Sequence, residues 1–77
     1  MSQSFDVELN TIGLRCPLPL LKTRQTLASM SSGQVLHIIS SDPSVKIDFL
    51  VFSEQTEHKL LANYEENGTL HFILRKG

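Results

Sequence analysis

Residues 14–19 read Leu14-Arg15-Cys16-Pro17-Leu18-Pro19, and Cys16 is the only cysteine in the chain. A cysteine does its chemistry as the thiolate, attacking an electrophile or exchanging across an S–S bond. Two features beside Cys16 favour that anion. Pro17 suits the first position of a helix, where a missing N–H is no loss. The sulfur is then expected at the helix mouth, where unpaired N–H groups and the helix dipole attract negative charge. Arg15 adds a neighbouring cation, so the thiol is expected to ionise more easily than a free one. Pro17 and Pro19 cannot donate, leaving only Leu18 and Leu20 as donors among the first four helical residues. The prolines are therefore expected to fix the backbone and hold the sulfur outward rather than wrap it in hydrogen bonds. A lone cysteine is otherwise read as a small buried hydrophobe; its setting between Arg15 and Pro17 is what argues for chemistry.

A second start signal follows at Asp42-Pro43, an N-cap carboxylate ahead of proline. If the strands before the two turns are joined by a right-handed crossover they run parallel, and both helix N-termini open on one edge of the sheet. Ligand sites in open α/β sheets gather at that edge, which makes Asp42 and Lys46 expected neighbours of the sulfur. The plainer reading of Asp42 is capping alone. Lys22, Arg24 and Lys46 are solvated positions unless they form a basic rim around Cys16. His37, His58 and His71 have no close-spaced ligand partner, so neither a metal nor any other cofactor is expected. No histidine lies near Cys16 in sequence to act as its base, and no glycine-rich loop points to a nucleotide.

The elements that must position Cys16 can be read from periodicity. Phe5, Val7 and Leu9 alternate with polar residues, as in a strand with one buried face. A turn over residues 11–15 leads to a helix reaching about Met30, with Leu20, Thr23, Leu27 and Met30 along one side. Residues 35–39, Val35-Leu36-His37-Ile38-Ile39, form an interior strand, apolar on both faces except at His37. A second helix from about Ser44 to Gln55 carries Val45, Ile47, Phe49, Leu50, Val51 and Phe52. Those residues cover more than one face, so the helix is either deeply buried or offers a contact surface around Leu50 and Val51. A hairpin over residues 59–74, turning at Glu66-Asn67-Gly68, closes the chain. The order is βαβαββ, and two helices can cover only one face of four strands. The expected fold is an α/β (α+β) two-layer sandwich, a four-stranded mixed sheet with two helices on one face, in one domain over residues 1–77.

Composition sets the outer bounds. Seventy-seven residues leave no room for a deep catalytic pocket, and 40% hydrophobic with 19% charged residues is an ordinary globular balance. A formal net charge of −1 gives no global pull toward nucleic acid or an anionic membrane. One cysteine excludes an internal disulfide and fits a reducing compartment. Met1-Ser2-Gln3-Ser4-Phe5-Asp6 lacks a basic region and an apolar core, and no run approaches the roughly 20 apolar residues of a membrane span. A cytoplasmic protein is expected.

The motif Leu14-Arg15-Cys16-Pro17-Leu18-Pro19, preceded by Gly13 and followed by an amphipathic helix, resembles the signature of the TusA/SirA-like sulfur-carrier family. The likeness continues through Ser41-Asp42-Pro43, Asp48, Phe52, Glu57-His58 and Leu74-Arg75-Lys76. It implies the same βαβαββ sandwich and a carrier rather than a turnover enzyme. By the resemblance, Cys16 accepts sulfane sulfur as a persulfide from a cysteine desulfurase or rhodanese-like protein and passes it to a protein acceptor. Arg15, Pro17, Pro19, Asp42 and Lys46 would support it, without direct contact to nucleic acid. Family destinations include tRNA thiolation, molybdenum-cofactor biosynthesis and sulfur oxidation, and some members accompany membrane transport proteins. Three positions depart from the family pattern. Leu18 replaces a frequently acidic residue, Leu50-Val51 stand where Pro-Gly is common, and Ser53 stands where a second cysteine often sits. The competing readings are a regulatory or scaffold module with an incidental thiol, docking through its second helix, and a thiol redox protein, which would have no internal resolving cysteine.

Overall fold

The computed structural model describes residues 5–77. Its elements are β1 (Val7–Thr11), α1 (Leu18–Ala28), β2 (Val35–Ser40), α2 (Val45–Gln55), β3 (Lys59–Glu66) and β4 (Thr69–Arg75). The sheet order is β1-β2-β4-β3, with β1 parallel to β2 and the other pairs antiparallel. This is the expected mixed sheet, and β2 is interior as its two-sided apolar sequence requires. Leu36 and Ile38 of β2 point into the same core as Leu27 and Met30 from the α1 side, Val45, Phe49 and Phe52 of α2, and Phe72 and Leu74 of β4. Both helices therefore lie on one face. His37, between Leu36 and Ile38, must point to the opposite one.

Local details follow from residue chemistry. The β3–β4 hairpin turns on Asn67 (φ 53°) and Gly68 (φ 77°). A two-residue loop that matches strand twist needs positive φ at both positions, and Asn-Gly is the pair that tolerates it best. Helix α1 begins at Leu18, one residue later than its sequence suggests. Pro17 occupies the N-cap position and Pro19 lies in the first turn. Buried Thr23 satisfies its hydroxyl by donating to the Pro19 carbonyl, 2.8 Å away. Phe5 departs from expectation. It precedes β1 and is not bound to that strand's alternation; its ring stays exposed and lies 5.0 Å from His37. Helix α2 runs unbroken through Leu50-Val51. Ser53 fastens α2 to β3, accepting the Leu60 N–H at 2.9 Å and donating to the His58 carbonyl at 3.4 Å. Among the described residues, no helix is long and apolar enough to cross a membrane.

The core turns on Phe49, fully buried with its ring centroid 4.5 Å from that of Phe72. Phe49→Ala is expected to destabilise the fold by about 3–5 kcal/mol, the usual range for truncating a buried phenylalanine. The exposed Ile47→Ala on the same helix should change stability by no more than about 0.5 kcal/mol. Urea unfolding followed by circular dichroism measures both, and equal losses would contradict this placement of the core.

Candidate functional site

Parallel pairing of β1 with β2 sets Thr11 opposite Ser40, so the loops after both strands leave the sheet side by side. Gly13 turns the first loop at φ 89°, and its N–H donates to Ser41 Oγ at 2.9 Å. Three residues on, the Cys16 N–H donates to Asp42 Oδ2 at 2.8 Å. The other oxygen, Oδ1, accepts from the Ser44 N–H at 3.0 Å and the Ser44 hydroxyl at 2.8 Å. Asp42 is therefore not the N-cap residue that its Asp-Pro context suggests. Ser44 holds that position without a side-chain cap bond, and Asp42 instead ties the cysteine loop to the start of α2. These bonds hold the Asp42 carboxyl below the usual carboxylate range, the Cys16 N–H first, then Ser44, with the charge of Arg15 adding to them.

The sulfur is exposed, as the two prolines suggest. Its electrostatic setting is the reverse of the one expected. Cys16 Sγ donates its proton to Asp48 Oδ2 at 2.9 Å. The thiol is pushed above its ordinary pKa by that hydrogen bond first, then by desolvation and by the negative charges of Asp48 and Asp42. A helix mouth lowers a thiol's pKa only where N–H groups meet the sulfur. Here the residue at the N-cap of α1 is Pro17, which has no N–H, and a carboxylate of the other helix reaches the sulfur instead.

The predicted supporting residues disperse. Arg15 acts on Asp42 and lines a groove of about 510 Å³ with Gly13, Leu14, Ser41, Asp42 and Pro43. Lys46 lines a separate groove of about 280 Å³ with Asn63, Tyr64 and Glu65. It is not among the groups acting on the sulfur. Arg24 lies over the Phe52 ring, 5.3 Å from its centroid, and Lys22 is exposed. The charged groups that act on the sulfur are the acidic Asp48 and Asp42.

Asp48 is the site residue that the residue-by-residue reading did not single out. An acidic side chain in the first turn of a helix is explained by the dipole alone, so only tertiary packing distinguishes it from an ordinary cap. The apolar surplus of α2 resolves in the same region, with Ile47, Leu50 and Val51 exposed. Val51 lies one turn from Asp48 and Leu50 one turn from Ile47, while Leu18 and Leu21 share a face of α1. All five side chains are at least 40% exposed. The site is thus an exposed sulfur with two carboxylates beside it and apolar side chains on the two helices that flank it. An exposed thiol can exchange sulfur with another protein once it gives up the proton that it donates to Asp48. Among the described residues, no group of three or more His, Cys, Asp or Glu side chains gathers as metal ligands.

Comparison with known proteins shows what the chain is similar to. The family described as Sulfurtransferase TusA matches residues 7–76. A Sulfur carrier protein TusA from Allochromatium vinosum is 50% identical over 72 residues, covering 94% of this chain and 95% of the relative. The crystal structure of a SirA-like protein from Desulfitobacterium hafniense superposes with a TM-score of 0.81 at 16% identity. That match covers 94% of this chain and 99% of the other, and it establishes likeness of fold.

The raised thiol pKa has a direct consequence. The rate of Cys16 alkylation by iodoacetamide should climb at higher pH than that of a free cysteine in a short unstructured peptide, because only the thiolate reacts. A pH–rate profile measures this. A Cys16 midpoint at or below the peptide's would contradict the Asp48 contact.

Proposed function

The chain belongs to the TusA sulfurtransferase family and is a sulfur carrier, and from that premise we propose that Cys16 carries the sulfur as a persulfide. The observation that supports this is the exposed thiol on the loop after β1, at the edge where the two parallel strands end. Loading is a thiolate exchange: Cys16 attacks the terminal sulfur of a donor persulfide, a new S–S bond forms at Cys16, and the donor's own S–S bond breaks. Donor and acceptor are proteins, and we read the donor as a cysteine desulfurase or a rhodanese-like protein. Asp42, the loop prolines Pro17 and Pro19, and Arg15 through its charge on Asp42, hold the loop in shape for that exchange. Lys46, exposed and lining the neighbouring groove, would take part through contact with a partner. A reducing, cytoplasmic setting suits a thiol that must stay free between transfers.

The apolar side chains flanking the sulfur suit protein partners. Exposed apolar groups beside a transferable group provide the desolvated contact that a transient protein interface needs. They also favour a second reading, in which the chain is a regulatory or scaffold module docking through Leu50 and Val51 with the thiol incidental.

Incubating the reduced protein with a cysteine desulfurase and cysteine should add one sulfur atom to the intact mass, and Cys16→Ser should abolish the gain. Failure to load with any of a panel of desulfurase and rhodanese-type donors would refute the carrier role of Cys16. Leu50→Asp and Val51→Asp should leave loading from a small polysulfide unchanged and slow protein-to-protein transfer by about tenfold, an ordinary interface contribution. Should Cys16→Ser keep full activity in cells while Leu50→Asp loses it, the scaffold reading replaces the carrier one.

A further inference from the structure

The contact between Cys16 and Asp48 distinguishes the empty carrier from the loaded one. In the empty state the thiol has a proton, and Asp48 Oδ2 accepts it at 2.9 Å. Asp48 is half-buried in the first turn of α2, where the helix dipole favours its negative charge. Loading changes the sulfur's chemistry. Cys16–SH and a donor R–S–S⁻ become Cys16–S–S⁻ and R–SH: one S–S bond forms, one breaks, and the proton of Cys16 ends on the departing thiolate. No electrons are gained or lost overall. A persulfide is a stronger acid than a thiol, so at neutral pH the loaded group is an anion with no proton to donate. Facing the same carboxylate, it meets repulsion where the thiol found a hydrogen bond.

Resting on the carrier reading above, we propose that Asp48 is a positioning residue that reads the load on Cys16, holding the empty thiol and turning the loaded persulfide out toward an acceptor. Asp42 reinforces the effect. Its Oδ2 is engaged by the Cys16 N–H, so the loop backbone stays anchored while the side chain swings, and its charge also opposes an anion on the sulfur. Asp48 touches the reacting sulfur only in the empty state. In the loaded state it acts through charge, and the prolines on either side of Leu18 limit how far the backbone can follow.

The test uses one neutral electrophile, iodoacetamide, on the full-length protein in both states: reduced, and loaded to the persulfide with inorganic polysulfide. Asp48→Asn removes the charge and supplies an amide N–H that can hold an anion. Near neutral pH the empty variant should react about threefold faster or more than wild type, because more of its sulfur is thiolate. The loaded variant should react slower than wild type, because its persulfide is held and its charge partly satisfied. Asp48→Glu keeps the carboxylate and should lie nearer wild type in both states. A residue that merely supports the fold would not move the two rates in opposite directions. If both rates move the same way, or neither changes, in a variant whose melting temperature is retained, the proposal is overturned. Asp48→Ser repeats the measurement if the amide variant melts early; it also lacks the charge, and an unchanged empty-state rate would overturn the proposal equally. If wild type gains no sulfur by intact mass, either from polysulfide or from the panel of desulfurase and rhodanese-type donors, the carrier role of Cys16 fails and this inference falls with it.

Discussion

The Asp42 carboxylate is the point on which the site hangs. It accepts from the Cys16 backbone on one side and from Ser44 on the other, joining two loops 26 residues apart in sequence. Without such a tie the cysteine loop would be a surface segment with little to fix it, since its own prolines remove donors. The tie depends in turn on parallel β1–β2 pairing, which brings both loops to one edge. Once Cys16 and the start of α2 are joined, the first turn of that helix comes to the sulfur, and Asp48 with it. The sulfur's chemistry is thus set by α2 although the sulfur precedes α1.

This dependence explains what was legible in the sequence. Periodicity and run length gave every element within a residue or two at most boundaries, because β1 alternates, β2 is a short bounded apolar run, and α1 carries its apolar side at helical spacing. Asn67-Gly68 located the hairpin because only such residues accept its backbone angles. The cysteine motif marked the site and the crossover rule marked its edge. The sign of the electrostatics was not legible. Arg15 is adjacent to Cys16 in sequence, but its charge acts on Asp42, whereas Asp48 is 32 positions away and donates nothing to any local pattern. Charge effects fall with distance in space, and sequence neighbours are not always spatial ones. Phe5 was misplaced for a related reason: a period-2 pattern holds only while the residue belongs to the strand.

A raised thiol pKa looks unsuited to a nucleophile until its whole cycle is considered. A carrier spends part of its life empty, and an exposed thiolate is the form most open to oxidation and stray exchange. Holding the proton on the sulfur keeps the empty state quiet. If Cys16 carries the sulfur as proposed, the brief ionisation needed for transfer falls to the encounter with a partner, whose own charges can offset two carboxylates at short range. Reactivity becomes conditional on docking, which a thiol activated permanently by a helix dipole would not offer.

The opposite face of the sheet contrasts with the surface around the sulfur. Among the described residues no helix covers that face, yet Ile73 is 1% exposed and His37 8%. They are enclosed by a row of rings running across the strands. Phe5 lies against His37, His37 Nε2 lies 2.9 Å from His71 Nδ1, and Tyr64 stacks on His71 with ring centroids 4.5 Å apart and planes within 4°. The two imidazole centroids are 5.1 Å apart. With their nitrogens so close, the rings must meet nearly end to end, a linear N–H···N bond rather than a stack. Glu8 Oε2 approaches the far nitrogen of His37 at 3.3 Å. Cross-strand pairs of this kind stabilise a sheet face without a second layer. Among the described residues, six of the nine large exposed hydrophobics, Ile12, Leu18, Leu21, Ile47, Leu50 and Val51, belong instead to the cysteine loop and the two helices. Burying exposed apolar surface is what makes association favourable, and most of it here lies on the loop and helices that flank the sulfur.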